Sequence, residues 1–344
     1  MDPKLPFSIE PRSTIFVTGV NGLIGSHIVD QLLQRGYNVR GAVRGVEKNT
    51  WLKEYFDQKY KDAGLELVEV KDMTIEGCYD GVVNGTDGFI HVASPIGDLT
   101  DAKSAIAIGI SGALNALKAC AKTPSVKRFV FTSSSLAATF PKPNIEFSIN
   151  ETSYNEEAIK AVEKDPSTKN GLHLYSAMKT ETEKAAWKWI KEKNPQFVFN
   201  TILPNANFGP LLVPEHQGYP STIEWARVAW TGEYLKEHAA HIAPQWFISP
   251  VDTALLHVAA LIYSDIKGER LFGFAETWNY NQILETFKEL YPERQFAENL
   301  EGVGVDCMTV PNERAEEVLR WVKGSGWDGL VTSLGEMSRS WALG

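Results

Sequence analysis

Tyr175 and Lys179 set a phenol and an ammonium four residues apart, within Tyr175-Ser176-Ala177-Met178-Lys179. On a helix, residues four apart share a face. An ammonium beside a phenol favours its ionised form, so the tyrosine pKa is expected to fall from about 10 toward the working range. Such a phenol is a competent general acid for a carbonyl oxygen. Ser133-Ser134-Ser135 offers hydroxyls that can hydrogen-bond the same oxygen while negative charge gathers on it. Alternation along the strand that contains Phe131 aims only some of these hydroxyls into a cleft; Ser134 is preferred, with Ser133 and Ser135 as rivals.

The four-residue spacing also occurs from Tyr55 to Lys59 and from Tyr263 to Lys267, so spacing alone decides nothing. Tyr175 differs because it falls on a predicted helix after the fifth predicted strand, where a parallel sheet would bring it and Ser134 to one edge.

A cofactor site is written nearer the start. Thr18-Gly19-Val20-Asn21-Gly22-Leu23-Ile24-Gly25 follows the strand-like run Ile15-Phe16-Val17 and opens a helical pattern of Ile24, Ile28, Leu32 and Leu33. Glycines allow the backbone to turn tightly and approach a pyrophosphate, and the helix N-terminus supplies free N–H groups and partial positive charge. The second predicted strand ends without the Asp or Glu that usually meets a free ribose 2′-hydroxyl, and carries Arg44 with Arg40 and Lys48 nearby. A guanidinium suits a 2′-phosphate, which favours NADPH over NADH. Asp72-Met73 could hold the adenine edge, and Ala93-Ser94-Pro95 could pass beneath the pyrophosphate and the nicotinamide ribose; either segment could equally cap its strand.

Elements that would position these groups can be read along the chain. Strands are predicted at 15–17, 39–43, 65–70, 88–92, 128–132 and 197–203, with helices at 102–121 and 172–193 and an irregular stretch at 141–171. Alternating strands and helices imply a doubly wound α/β fold, a parallel sheet covered on both faces. From Pro204 the chain turns to short, proline-punctuated segments rich in aromatics, which predicts a smaller C-terminal lobe that binds substrate. The expected division is 13–204 and 205–344, with part of 245–275 returning to the first unit.

The 344 residues and 43% apolar content suffice for a sizeable core. A net charge of −9 disfavours nucleic acid and anionic membrane as partners. The opening residues lack a secretory profile, and the apolar run around 254–263 falls short of a membrane span, so a cytoplasmic protein is expected. Three scattered cysteines, Cys78, Cys120 and Cys307, predict reduced thiols, and the isolated pair His238 and His241 predicts no metal site.

These motifs together resemble the extended short-chain dehydrogenase/reductases, in the dihydroflavonol-reductase-like branch. The resemblance runs from Thr14 to about Leu334 through the glycine turn, Val39-Arg40-Gly41-Ala42-Val43-Arg44, Lys71-Asp72-Met73, Phe131-Thr132-Ser133-Ser134, Tyr175-x-x-x-Lys179, Leu203-Pro204-Asn205 and Val251-Asp252. It is closest to fungal NADPH-dependent aldehyde and ketone reductases, through the segment 121–130, Pro141-Lys142-Pro143-Asn144 and Pro244-Gln245. It implies a Rossmann domain, Ser134, Tyr175 and Lys179 in the roles above, Arg44 at the 2′-phosphate, and backbone after Pro204 at the nicotinamide carboxamide. The cofactor's surroundings would then also include Thr132 and Asn205. Many members place an asparagine where this chain has Gly109; Asn115 lies off that slot and is not assigned to a relay.

The expected activity is reduction of aldehydes or ketones, aryl ketones and keto esters among them, by a monomer or homodimer. Pro95, Asn205, Trp225 and Gln245 are candidate substrate walls beside Ser134, with Trp246 or Phe247 behind them. The alternatives are a sugar-nucleotide epimerase or dehydratase and an NADP-sensing regulator. The first needs cations for a diphosphate, and 204–260 contains only Arg227 and Lys236; the second needs no proton relay.

Overall fold

The computed structural model describes residues 6–61, 64–94 and 101–342. In chain order its strands are β1 (Thr14–Thr18), β2 (Asn38–Val43), β3 (Leu65–Glu69), β4 (Gly88–His91), β5 (Arg128–Thr132), β6 (Glu146–Ser148), β7 (Val198–Pro204), β8 (Ala206–Asn207), β9 (Gln245–Ile248), β10 (Arg270–Gly273), β11 (Glu276–Trp278) and β12 (Cys307–Thr309). The helices are α1 (Leu23–Gln34), α2 (Thr50–Lys59), α3 (Ala102–Ala121), α4 (Glu156–Lys164), α5 (Gly171–Lys193), α6 (Pro214–Gln217), α7 (Thr222–Thr231), α8 (Leu235–His241), α9 (Pro250–Ile262), α10 (Tyr280–Leu290), α11 (Glu313–Lys323) and α12 (Leu330–Ala342).

Seven parallel strands form the main sheet in the order β3-β2-β1-β4-β5-β7-β10. Strand order reverses between β1 and β4, which opens a crevice at the C-terminal edge of the sheet. Alternation sorts the two faces by side-chain type. Ile15, Val17, Val39, Ile90, Val130 and Ile202 face α1, α9 and α11. Phe16, Phe89, Phe129 and Phe199 face α3 and α5, with successive ring centroids 4.9, 4.9 and 5.7 Å apart. This aromatic row runs across four adjacent strands and fixes their register through ring contacts as well as area.

Residues 250–273 return to the sheet layer: α9 packs along α1, and β10 pairs in parallel with β7. Between and beyond them a second core forms around Phe208, Trp230, Phe247, Trp278, Tyr280 and Phe287, over the three-stranded sheet β11-β9-β8. The helix α3 is long and apolar enough by composition to cross a membrane, and it lies along α5 within this fold.

The stretch 141–171 contains β6 and α4, where sequence predicted irregular structure. In α4, Ala158, Ile159, Ala161 and Val162 stand at helical spacing with Ala158 and Val162 buried, and the helix is started by Asn155 accepting from the Ala158 N–H at 2.9 Å.

Candidate active site and dinucleotide cleft

β1 delivers the chain into the glycine turn at the switch point. Gly19 has a positive φ of 69°, and a Cβ there would stand 3.1 Å from the Ala93 nitrogen; a Cβ on Gly25 would overlap the Gly19 carbonyl oxygen. These two glycines let turn, helix and neighbouring loop interlock. Gly22 does something else. It caps α1 without a side chain over the free N–H groups, no acid stands in the first turn, and a Cβ there would meet only the Gly19 oxygen at 3.5 Å. An exposed helix N-terminus of this kind fits a pyrophosphate.

Thr18 contributes differently from expectation. Its buried hydroxyl accepts the N–H groups of Val92 and Ala93, both at 3.0 Å, which leaves its own hydrogen for His91 Nδ1 at 3.1 Å. It therefore holds the loop after β4 against Gly19, and its side chain is fully engaged. Leu23 packs into the second lobe's core and Ile24 against the sheet, while Asn21 and Gly22 are exposed at the turn. The second lobe reaches over this turn: the His27 ring meets the Pro210 carbonyl at 2.8 Å, and Gln217 Nε2 donates to Ser26 Oγ at 3.0 Å.

At the end of β2, Arg44 is exposed and has no ion-pair partner among the described residues, and Lys48 is exposed on the following turn. Arg40 is committed to Glu66 at 2.7 Å and to the carbonyls of Val82 and Asn84. The Asp72 carboxylate accepts both the N–H and the hydroxyl of Thr74, at 2.8 and 2.7 Å, which closes a tight turn and lowers its pKa. The Met73 carbonyl is held by Asn115 Nδ2 at 3.0 Å, so Asn115 clamps this loop to α3. Ala93 abuts Gly19 and Ser94 is half-buried beside it; Pro95 lies outside the described residues.

The three serines after β5 separate cleanly. Ser133 Oγ donates to Glu183 at 2.7 Å, beneath the cleft. Ser134 Oγ accepts the Leu136 N–H at 3.2 Å, and its hydroxyl stands close enough to Tyr175 to favour the ionised phenol. Ser135 lines a cavity discussed below. On α5, Lys179 stands one turn beyond Tyr175 with its ammonium on the Thr132 carbonyl at 2.9 Å and 5.5 Å from the Phe131 ring centroid.

One electrostatic expectation is overturned. Burial pushes the Tyr175 phenol up, opposed only by the nearby Ser134 hydroxyl, and Lys179 does not pull it down. The reason is that Lys179 is itself desolvated, which brings it down to about 8, and its ammonium is directed at Thr132. Around it the rings of His91 and His257 are kept neutral by burial, to about 3 and about 4. His257 Nδ1 must donate to the Thr253 carbonyl at 2.7 Å, so its Nε2 accepts the Thr132 hydroxyl at 2.7 Å.

Beneath this row lies a buried ion pair that sequence reading missed. Glu183 takes Arg270 in a two-pronged contact at 2.7 and 3.1 Å, together with the Ser133 and Thr201 hydroxyls. It ties α5, β5, β7 and β10 together. Its position one turn after Lys179 on the same helix face was the available signal. His257 interrupting an apolar helical run was another.

The other two tyrosine–lysine pairs are structural. Lys59 pairs with Asp30 at 2.6 Å. Tyr263 sits past the end of α9, buried in the core, so no helix turn brings Lys267 beside it. Gly109 faces α5, where a Cβ would overlap Thr182 Oγ1 and approach Met178 at 2.9 Å; the glycine serves close approach of α3 and α5.

Asn205 and Gln245 meet on one narrow cavity with Ser135, Thr139, Phe274 and Asp306. Trp225 does not join them. It packs in the second lobe's core, 6.2 Å from Trp278, and Phe247 is likewise core. Nor do the first N–H groups after Pro204 remain free for a carboxamide: Asn205 donates to the Gly273 carbonyl at 3.1 Å and Ala206 to the Asn205 side chain at 2.8 Å.

The family model described as NAD dependent epimerase/dehydratase matches residues 15–229. Aldehyde reductase 2 of Sporidiobolus salmonicolor is 38% identical over 97% of this chain and 98% of its own. Ketoreductase adrE of Penicillium rubens is 35% identical over 95% and 96%. Among solved structures, Gre2 of Candida albicans in complex with NADPH superimposes with a TM-score of 0.83 over 96% of this chain and 99% of that one, at 22% identity, a likeness of fold.

Proposed function

We propose that this protein, which belongs to the NAD dependent epimerase/dehydratase family and within it to the dihydroflavonol-reductase-like branch of the extended short-chain dehydrogenase/reductases, is an NADPH-dependent carbonyl reductase. The observation that carries this reading is the meeting of the Ser134 hydroxyl and the Tyr175 phenol, close enough for the serine to favour the phenolate, with Lys179 one turn along the same helix and the glycine turn at the same sheet edge.

The free N–H groups behind Gly22 would hold the pyrophosphate and Arg44 the 2′-phosphate, with Lys48 near it. Ala93, Ser94, Pro204 and Asn205 would border the rest. When bound, NADPH supplies the hydride received by the carbonyl carbon. Ser134 hydrogen-bonds the carbonyl oxygen and stabilises the charge that gathers there. Tyr175, kept protonated by burial, gives that oxygen its proton. Lys179, held on the Thr132 carbonyl with Thr132 in turn bonded to His257, would bring its positive charge to the nicotinamide ribose beside Tyr175.

The substrate fits an aldehyde or ketone with an apolar or aromatic substituent better than a sugar nucleotide. Of the two cations in 204–260, Arg227 is stacked on Tyr219 at 4.5 Å and paired with Glu224, which leaves little to hold a diphosphate. The test follows absorbance of the reduced nicotinamide with aryl ketones, keto esters and nucleotide sugars in parallel. NADPH oxidation with the ketones is expected. Epimerisation of the sugars without carbonyl reduction, or cofactor binding without any turnover, would overturn the reading.

A further inference from the structure

We infer that Asp306 is a specificity-determining residue of this site: its Oδ2 accepts a hydrogen bond from a hydroxyl that the substrate carries away from the reacting carbonyl. The inference rests on the carbonyl-reductase reading and names the substrate's second polar group.

Asp306 precedes β12, which pairs in parallel with β6 and so brings the carboxylate from late in the chain to the loop after Ser134. Its Oδ1 is fixed by the Met308 N–H at 2.7 Å. Its Oδ2 is buried without a hydrogen-bond partner, on a residue only 8% exposed. An orphaned buried acceptor is costly, and most such atoms in folded proteins are satisfied. Desolvation raises the pKa of this carboxyl, as expected for an acid that lacks a second donor.

Asp306 lines the narrow cavity shared by Ser135, Asn205 and Gln245. Ser135 and Asn205 are the chain neighbours of Ser134 and Pro204, so the cavity adjoins the reacting centre. It has room for one water-sized group, the size of a hydroxyl. Two of the protein donors around it are engaged elsewhere. Thr139 Oγ1 donates to the Phe140 carbonyl at 3.1 Å, and Gln245 Nε2 donates to the Ala243 carbonyl at 3.1 Å. With the Ser135 hydroxyl and the Asn205 amide on the same cavity, the Asp306 acceptor completes a polar lining that suits a hydroxyl, a group that both donates and accepts. A site built to hydrogen-bond a substrate hydroxyl discriminates against the analogue that lacks it far more strongly than an apolar pocket discriminates by size.

The experiment compares kcat/KM for positional series of aryl ketones carrying either a hydroxyl or a methyl at the same position, in the parent and in Asp306→Asn, which keeps the shape and turns the acceptor toward a donor. We expect one hydroxylated isomer to be favoured by about tenfold or more in the parent, and that preference to fall to about twofold or less in Asp306→Asn, with the methyl compounds and NADPH affinity little changed. A preference equal in parent and variant, or a parent that favours no hydroxylated isomer, overturns the role of Asp306 while leaving carbonyl reduction intact. Absence of any carbonyl reduction by the parent overturns the functional reading itself. If Asp306→Asn does not fold, Asp306→Thr carries the same comparison.

Discussion

The ammonium of Lys179 rests on the main-chain carbonyl of Thr132 at 2.9 Å. The Thr132 hydroxyl in turn is committed to His257 at 2.7 Å, so the lysine is positioned by backbone that a buried histidine holds in place. Thr132→Val would strand His257 Nε2 without a donor. Loss of about 1–3 kcal/mol of stability is expected, measurable as a lower urea midpoint at unchanged slope. An unchanged midpoint would mean that the histidine is dispensable.

The pH profile should report Lys179. Tyr175 is shifted upward by burial, so it stays protonated through neutral pH, whereas Lys179 comes down to about 8. Charge on Lys179 is present below that value and lost above it, so kcat/KM in the cofactor-saturated reaction is expected to fall as pH rises past about 8. The limb should move upward in Lys179→Arg, which cannot deprotonate in this range. For stability the sign is opposite: the unfolded lysine titrates near 10.4 and binds more protons between about 8 and 10.4, so this residue's contribution to folding improves with pH across that window. A limb that persists unmoved in Lys179→Arg would assign it to another group.

Glycines 22 and 25 should fail in different ways. Gly25→Ala drives a Cβ into the Gly19 carbonyl and is expected to lower thermal stability markedly. Gly22→Ala meets no close neighbour and should fold normally while weakening NADPH, because the added methyl stands where the pyrophosphate approaches. Thermal melts with and without NADPH separate the two; equal NADPH affinity in Gly22→Ala and the parent would contradict the placement.

Cofactor preference should depend on Arg44, which is exposed and free of carboxylate partners among the described residues. Arg44→Asp replaces an attraction to the 2′-phosphate by repulsion, so NADPH should weaken by about tenfold or more while NADH changes little. Titration of both cofactors by fluorescence decides this. A parent that binds them equally would remove the assignment.

The sheet was legible because Ile15-Phe16-Val17, Phe89-Ile90 and Phe129-Val130-Phe131 are runs with no polar residue, bounded by turns, and each side of the alternation is visible as a residue type. Helix α4 was not, although Ala158, Ile159, Ala161 and Val162 stand at helical spacing, because its 9 residues are shorter than the stretch over which periodicity is read. At the site, alternation after Phe131 favoured Ser134 and left Ser133 and Ser135 as rivals, of which Ser133 turns to Glu183. The Tyr175 pKa was misjudged because spacing reports proximity on a helix face and carries no information on desolvation. Asp306 and Arg270 were invisible for a different reason: each reaches the site from more than eighty residues downstream of Glu183 or Ser134, by strand pairing that a single sequence does not display. Trp225 was misplaced because an aromatic in the second lobe reads the same whether it lines a cleft or fills a core.

The central claim is that the Tyr175 hydroxyl delivers the proton during carbonyl reduction, and its most direct test is single-turnover oxidation of bound NADPH by Tyr175→Phe. NADPH affinity should stay within about threefold of the parent, because the ring remains, while the rate of NADPH oxidation with an aryl ketone should fall by about 100-fold or more. Tyr263→Phe, altered far from the cleft, should keep the parental rate. Parental turnover in Tyr175→Phe, with the hydride step limiting, would contradict the account.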